Sequence, residues 1–134
     1  MSAPGRGLLD TSAFIAEESG RGLAVEKFPE ELAISVITLG ELQAGVLAAE
    51  DPNVRAARLA TLAVGSDMLA LPVDDRVALQ WARLRVLLGK SARRVKVNAS
   101  WIAATALVHG ASVVTQDDDF DVMADVVGLN VVRV

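Results

Sequence analysis

Short, nearly uninterrupted apolar runs alternate with longer segments of helical periodicity along this chain. The runs are GLLD (7–10), LAISVI (32–37), MLALPV (68–73), ASVVT (111–115) and LNVVRV (129–134). A strand covered on both faces reads as a continuous apolar run, and parallel strands need a helix-sized crossover between them. The intervening segments supply it. Thr11 and Ser12 lead a helix through AFIAEE, TLGELQAGVLAAE (38–50) is a second, and Asp51-Pro52 open a third. Asp74-Asp75 cap a helix through Leu88, in which Val77, Trp81, Leu84 and Leu88 repeat at core spacing. Asn98 caps another through Val108, which Gly110 stops. The pattern predicts an α/β three-layer sandwich with a mainly parallel central sheet. It is read as one domain over 1–134, with 1–6 as a flexible lead-in.

Apolar residues make up 52% of the 134 positions and the mean hydropathy is +0.40, high enough that a membrane span is the first alternative to test. The longest uncharged run, VNASWIAATALVHGASVVTQ, is interrupted by Asn98, His109, Gly110 and Gln116, so it reads as a helix, a stop and a strand. MSAPGRG carries no secretory pattern. The expectation is a protein of a reducing interior whose surplus apolar surface meets another copy or a partner. With no cysteine, thiolate metal sites and disulfides are excluded.

The net charge of −4 argues against binding polyanions by bulk charge, but the charges are unevenly placed. No Asp or Glu occurs from Arg76 to Gln116, a tract that holds 7 of the 13 basic residues. Arg83, Arg85, Lys90, Arg93, Arg94 and Lys96 read either as a solvated helix face or as a phosphate-contacting rim beside an acidic pocket. The acids gather elsewhere. VVTQDDDFD (113–121) ends an apolar run in carboxylates that repel one another unless water or a cation separates them.

In open α/β sheets, ligands bind beyond the carboxyl ends of the strands. Asp10 ends the first run, Glu41 lies in the first turn of the helix after the second, and Asp117 and Asp119 follow the fourth. Each has a plain structural reading. Thr38-Leu39-Gly40-Glu41 fits a capping box, Asp10 fits a helix cap and Asp119 fits a turn. Their convergence on one edge also fits a hard divalent cation such as Mg²⁺ or Mn²⁺.

Asp10-Thr11-Ser12, Glu41, WIAATA (101–106) and T-x-D-x-D-F (115–120), in this order along nearly the whole chain, resemble the PIN domain and, more narrowly, its VapC toxin branch. The resemblance implies a Mg²⁺- or Mn²⁺-dependent ribonuclease acting on tRNA or rRNA, a homodimer, and a cognate VapB-type antitoxin. It further implies that Asp10, Glu41, Asp117 and Asp119 bind metal and that Ser12 and Thr115 line the site. His109, the only histidine, is read as structural. The segments 12–25 and 38–48 are the expected antitoxin groove.

One position departs from the pattern. Members of this branch commonly carry Asn-Asp before the Trp-Ile-Ala-Ala-Thr-Ala segment, whereas this chain reads Asn98-Ala99-Ser100. Ala99 is read as an engineered replacement of a catalytic aspartate, leaving that position vacant and activity severely reduced. A naturally inactive member, or a site in which Asn98 donates an amide oxygen, are the alternatives. A receiver domain needs a lysine after a late strand, but the last lysine is Lys96. A haloacid-dehalogenase-type phosphatase needs an acid where Ser12 stands, and a serine hydrolase needs a glycine-flanked serine elbow and a paired histidine, neither of which is visible. A non-catalytic RNA- or antitoxin-binding module is the main alternative.

Overall fold

A computed structural model describes residues 5–134. Its strands are β1 (Arg6–Leu9), β2 (Glu31–Ser35), β3 (Ala70–Leu71), β4 (Ser112–Thr115) and β5 (Val131–Arg133). Its helices are α1 (Thr11–Glu18), α2 (Val36–Ala48), α3 (Pro52–Ser66), α4 (Asp75–Gly89), α5 (Val97–Val108) and α6 (Asp121–Val127). The sheet runs β3-β2-β1-β4-β5, and every pairing in it is parallel. Leu8, facing Ala33 on one side and Val113 on the other, marks the central register.

The direction in which successive strands are added to the sheet reverses at β1. Steps from β1 to β2 to β3 go one way, and steps from β3 to β4 to β5 go the other. Right-handed crossovers therefore put α1–α3 on one face and α4–α6 on the opposite face. The two apolar cores agree. Leu9, Phe14, Ile34, Leu42 and Val114 pack with Leu62 beneath the first layer. Leu84, Leu88, Ile102, Val113 and Met123 pack beneath the second. The predicted α/β sandwich is thus observed, with the order reversal at β1/β4, where such sheets place their ligands.

Several boundaries differ from expectation. Of the lead-in expected over 1–6, residues 1–4 lie outside the described part, and Arg6 already belongs to β1. The second strand ends at Ser35 rather than Ile37, because the Ser35 hydroxyl accepts the Ile37 N–H and starts α2 at Val36. Thr38 and Glu41 therefore form no capping box, and Glu41 lies one turn further into the helix. Asn98 is not the cap of α5. Lys96 occupies that position with extended backbone, which puts Asn98 in the first turn. The third strand has only two residues, and α6 was not anticipated at all. Asp51 and Asp74 cap α3 and α4 as read, each accepting backbone N–H groups. Among the described residues no helix is long and apolar enough to cross a membrane.

Candidate active site

Asp10 is the first residue beyond β1 and the N-cap of α1, where its carboxylate accepts the Ser12 N–H at 3.3 Å. Thr115, fully buried at the end of β4, donates its hydroxyl to the same Asp10 Oδ2 at 2.9 Å. A hydroxyl has one proton, so the 3.0 Å contact between Ser12 Oγ and Thr115 Oγ1 must be a bond donated by Ser12. Two backbone donors complete the cluster. Gln116 N–H reaches Ser12 Oγ and Asp117 N–H reaches Thr115 Oγ1, each at 3.0 Å. This network fastens the ends of β1 and β4 together. It also fixes the backbone from which Asp117 and Asp119 project.

Glu41 enters from α2. The Thr11 hydroxyl donates to its Oε1 at 2.7 Å and lies 3.3 Å from the buried Thr38 hydroxyl. Thr11 belongs to the D-T-S segment that pointed to this edge, but its bond to Glu41 depends on how α1 and α2 pack and has no sequence signature. A cavity of about 260 Å³ gathers Asp10, Glu41, Asp117 and Asp119 on its wall, with Ala99, Asn98, Ser12 and Phe120. Every expected acid thus opens on one space, and the Ala99 methyl faces it too. Thr115 lies just beneath, held to Asp10.

The electrostatics of this wall are strained. Burial pushes the Asp10 carboxyl above the usual carboxylate range, against the hydrogen bonds from Ser12 and Thr115 that pull it down. Burial, followed by the fields of Asp10 and Asp119, raises Asp117 as well. Lys96 relieves part of the strain, with its Nζ 3.2 Å from Asp119 Oδ2, and that bond raises its own pKa. Among the described residues no three acids converge tightly enough to enclose an ion as they stand. Position 99 offers only a methyl to this wall, and Lys96 holds Asp119. The donor chemistry nonetheless suits Mg²⁺ or Mn²⁺, being all carboxylate oxygen.

The basic tract disperses in the fold. Only Lys96 reaches this cavity. Arg93 and Arg94 line an adjoining hollow of about 640 Å³ that shares Lys96 and Asp119 with it, although Arg93 is also paired to Asp125 at 2.6 Å. Arg83 and Lys90 touch neither space, and Arg85 lies over the ring of Trp81 at 5.4 Å. Trp81 in turn stacks on Trp101 with centroids 4.3 Å apart, and its indole N–H donates to Ser100. That pair anchors the turn carrying Ala99. Arg21 and Asn98 also line the cavity, Arg21 without having been anticipated. His109 sits at the C-terminal end of α5, away from it.

The PIN domain family matches residues 7–126. The chain is 50% identical over 133 residues to a protein of Mycobacterium tuberculosis named Ribonuclease VapC5, covering 99% of this chain and 98% of that one. It is 43% identical over 121 residues to Ribonuclease VapC4 of the same organism, covering 90% and 93%. Among solved structures, a member of the VapBC family of toxin–antitoxin systems from M. tuberculosis, VapBC-5, superposes with a TM-score of 0.89 at 47% identity, covering 96% of this chain and 98% of the other. FitAcB from Neisseria gonorrhoeae does so with a TM-score of 0.68 at 26% identity, covering 94% and 96%. The chain belongs to the PIN-domain family, within its VapC branch.

Proposed function

We propose that this chain has the architecture of a metal-dependent endoribonuclease toxin cleaving RNA phosphodiester bonds, and that Ala99 leaves it severely impaired. The observation that carries the reading is the single cavity on which Asp10, Glu41, Asp117 and Asp119 meet around the Ala99 methyl. The kinship with proteins named as ribonucleases supports it. These four carboxylates would hold Mg²⁺ or Mn²⁺, and the ion, when bound, supplies Lewis acidity and a water of lowered pKa. The chain's own residues perform the positioning. Ser12 and Thr115 orient the Asp10 carboxylate, Thr11 orients Glu41, and the β4 backbone holds Asp117 in place. Lys96 exchanges Asp119 for a phosphate oxygen when RNA enters. Arg94 and Arg93 extend the cationic surface alongside it, whereas Arg83, Arg85 and Lys90 add only to the field of that layer. RNA, as tRNA or rRNA, is the substrate class this implies.

Ala99 is read as an introduced Asp→Ala change. Perturbing even the groups behind a metal ligand costs about 10–100-fold, so losing a ligand costs at least that. Restoring Ala99→Asp should produce Mg²⁺-dependent RNA cleavage well above that of the parent chain. Unchanged activity would reject the role of position 99. A non-catalytic RNA-binding module is the second reading, favoured by Lys96 already pairing with Asp119 at 3.2 Å. It predicts RNA affinity that falls with salt and ignores Mg²⁺ in both chains.

A cognate VapB-type antitoxin is the proposed partner, by analogy with the VapBC complex that the fold matches. An arginine of the antitoxin placed among the carboxylates would fit their bidentate geometry. The segment 12–25 suits the groove expected there, since Ala13, Phe14, Leu23 and Val25 line an apolar hollow of about 290 Å³. Within 38–48, Leu47 stands exposed on α2. A homodimer and a bacterial cytoplasmic location complete the proposal. Exposed Leu79, Val86 and Leu87 on α4 are the kind of surface a dimer covers.

A further inference from the structure

Among the described residues, the cavity wall holds one cation with no carboxylate partner. Arg21 lines the same space as the four acids, yet among the described residues it lies within ion-pair distance of none. Its neighbour across the cavity, Lys96, is already paired with Asp119. A phosphodiester approaching this wall meets net negative charge, and Arg21 is the cation on the α1 side that is free to receive it.

The backbone that presents Arg21 is fixed. Gly20 takes a left-handed turn at φ +75°, ending α1, and Arg21 N–H bonds back to Ala16 O at 2.9 Å. From the other side, Gln116 Nε2 donates to Gly22 O at 2.9 Å and to Val134 O at 3.1 Å. Gln116 is also the residue whose N–H holds Ser12. One side chain next to Asp117 therefore ties the Arg21 loop to the strand ends that carry the carboxylates. Arg21 arrives from the α1 layer and Lys96 from the α5 layer, so a nucleic-acid backbone laid across the cavity meets one cation on each wall.

We infer that Arg21 is a substrate-binding residue that holds a non-bridging phosphate oxygen of the RNA strand beside the bond to be cut. The inference rests on the RNA-cleaving reading above and adds to it the residue that admits the phosphate to an acidic site. Arginine suits that task because its fork engages a phosphate through two N–H groups.

The test uses the full chain as it stands, with EDTA and a fluorescein-labelled single-stranded RNA oligonucleotide of mixed sequence, in a salt titration of Kd. Arg21→Ala should weaken binding about tenfold and flatten the salt slope by about 0.7, the share of one phosphate contact on a single strand. Arg21→Lys should keep the slope but lose affinity. Lys27→Ala, which removes the same charge from an exposed position off the cavity, should change Kd by less than about twofold. Because the Arg21 side chain makes no hydrogen bond or ion pair among the described residues, the melting temperature of Arg21→Ala should match the parent. An unaltered slope in Arg21→Ala, an equal effect of Lys27→Ala, or no salt-dependent binding by the parent chain would overturn the inference. In the Ala99→Asp background, full cleavage by Arg21→Ala would reject Arg21 while leaving the enzyme reading intact. Failure of Ala99→Asp to cleave with Arg21 present would reject the enzyme reading instead.

Discussion

Replacing Asp10 by asparagine should stabilise the metal-free protein. Both protein bonds to the Asp10 carboxylate fall on one oxygen, from the Ser12 N–H at 3.3 Å and the Thr115 hydroxyl at 2.9 Å. An asparagine amide oxygen in that place accepts both and preserves the cap. What disappears is the charge, buried at 6% exposure and facing the Asp117 carboxylate. The direction of the Asp10 pKa decides the sign. It is raised although the hydrogen bonds from Ser12 and Thr115 lower it, so burial outweighs them and the fold prefers a neutral group here. Relieving one such charge gives about 1 kcal/mol, or about 3–4 °C for a chain of this length. Linkage adds a pH signature. The folded acid keeps its proton to higher pH than the unfolded one, so this group's contribution is full below the unfolded pKa near 3.8. It declines as pH rises through the elevated folded value. Thermal melts in EDTA should show the Asp10→Asn advantage at pH 7 and its disappearance near pH 4. Excess Mn²⁺ should reverse the order of the two proteins. A destabilised Asp10→Asn at pH 7 without metal would refute the reasoning, because it would mean that the hydrogen bonds need the charge.

Two further substitutions probe the supports of the site. Thr11→Val removes the hydroxyl that holds Glu41 at 2.7 Å while nearly keeping the volume, so in the Ala99→Asp background it should lower Mg²⁺-dependent cleavage about 10–100-fold. Circular dichroism should show the fold intact, and undiminished cleavage would exclude Thr11 as the group that orients Glu41. Gly7→Ala tests the central strand, where an added Cβ would lie 2.6 Å from Pro29 Cγ and 2.8 Å from Val114 Cγ2. Neither a proline ring nor a core valine gives way easily, so urea denaturation should report a loss of about 1–3 kcal/mol. A neutral result would show that the strands part without cost.

Much of this architecture was legible because strand burial and helical crossovers leave separate periodicities. Asp10, Asp117 and Asp119 could be placed on one edge because only a few residues separate them from apolar runs whose direction the fold class dictates. The β2–α2 junction was not legible in the same way. Val36 and Ile37 continue an apolar, β-branched run, and only the Ser35 hydroxyl bonding Ile37 N–H shows that the strand has already ended. The helix α6 was hidden by its length of seven residues and by Asp121 and Asp125, which break an apolar pattern that Val122 and Met123 nonetheless bury. The basic tract misled in a different manner. Charge density along a sequence says nothing about pairing, and folding commits Arg93 to Asp125 and Lys96 to Asp119. Arg21, a lone cation in a loop, gains meaning only when Gln116 ties that loop beside the carboxylates.

Position 99 is proposed to complete a ring of oxygen ligands begun by residues 10, 41, 117 and 119. Calorimetric titration of Mn²⁺ into the parent chain and into Ala99→Asp tests this without relying on turnover. The parent should bind weakly and Ala99→Asp at least about tenfold more tightly, with the gain lost again when Asp10→Asn is added. Equal Mn²⁺ affinities in the parent and Ala99→Asp would contradict it.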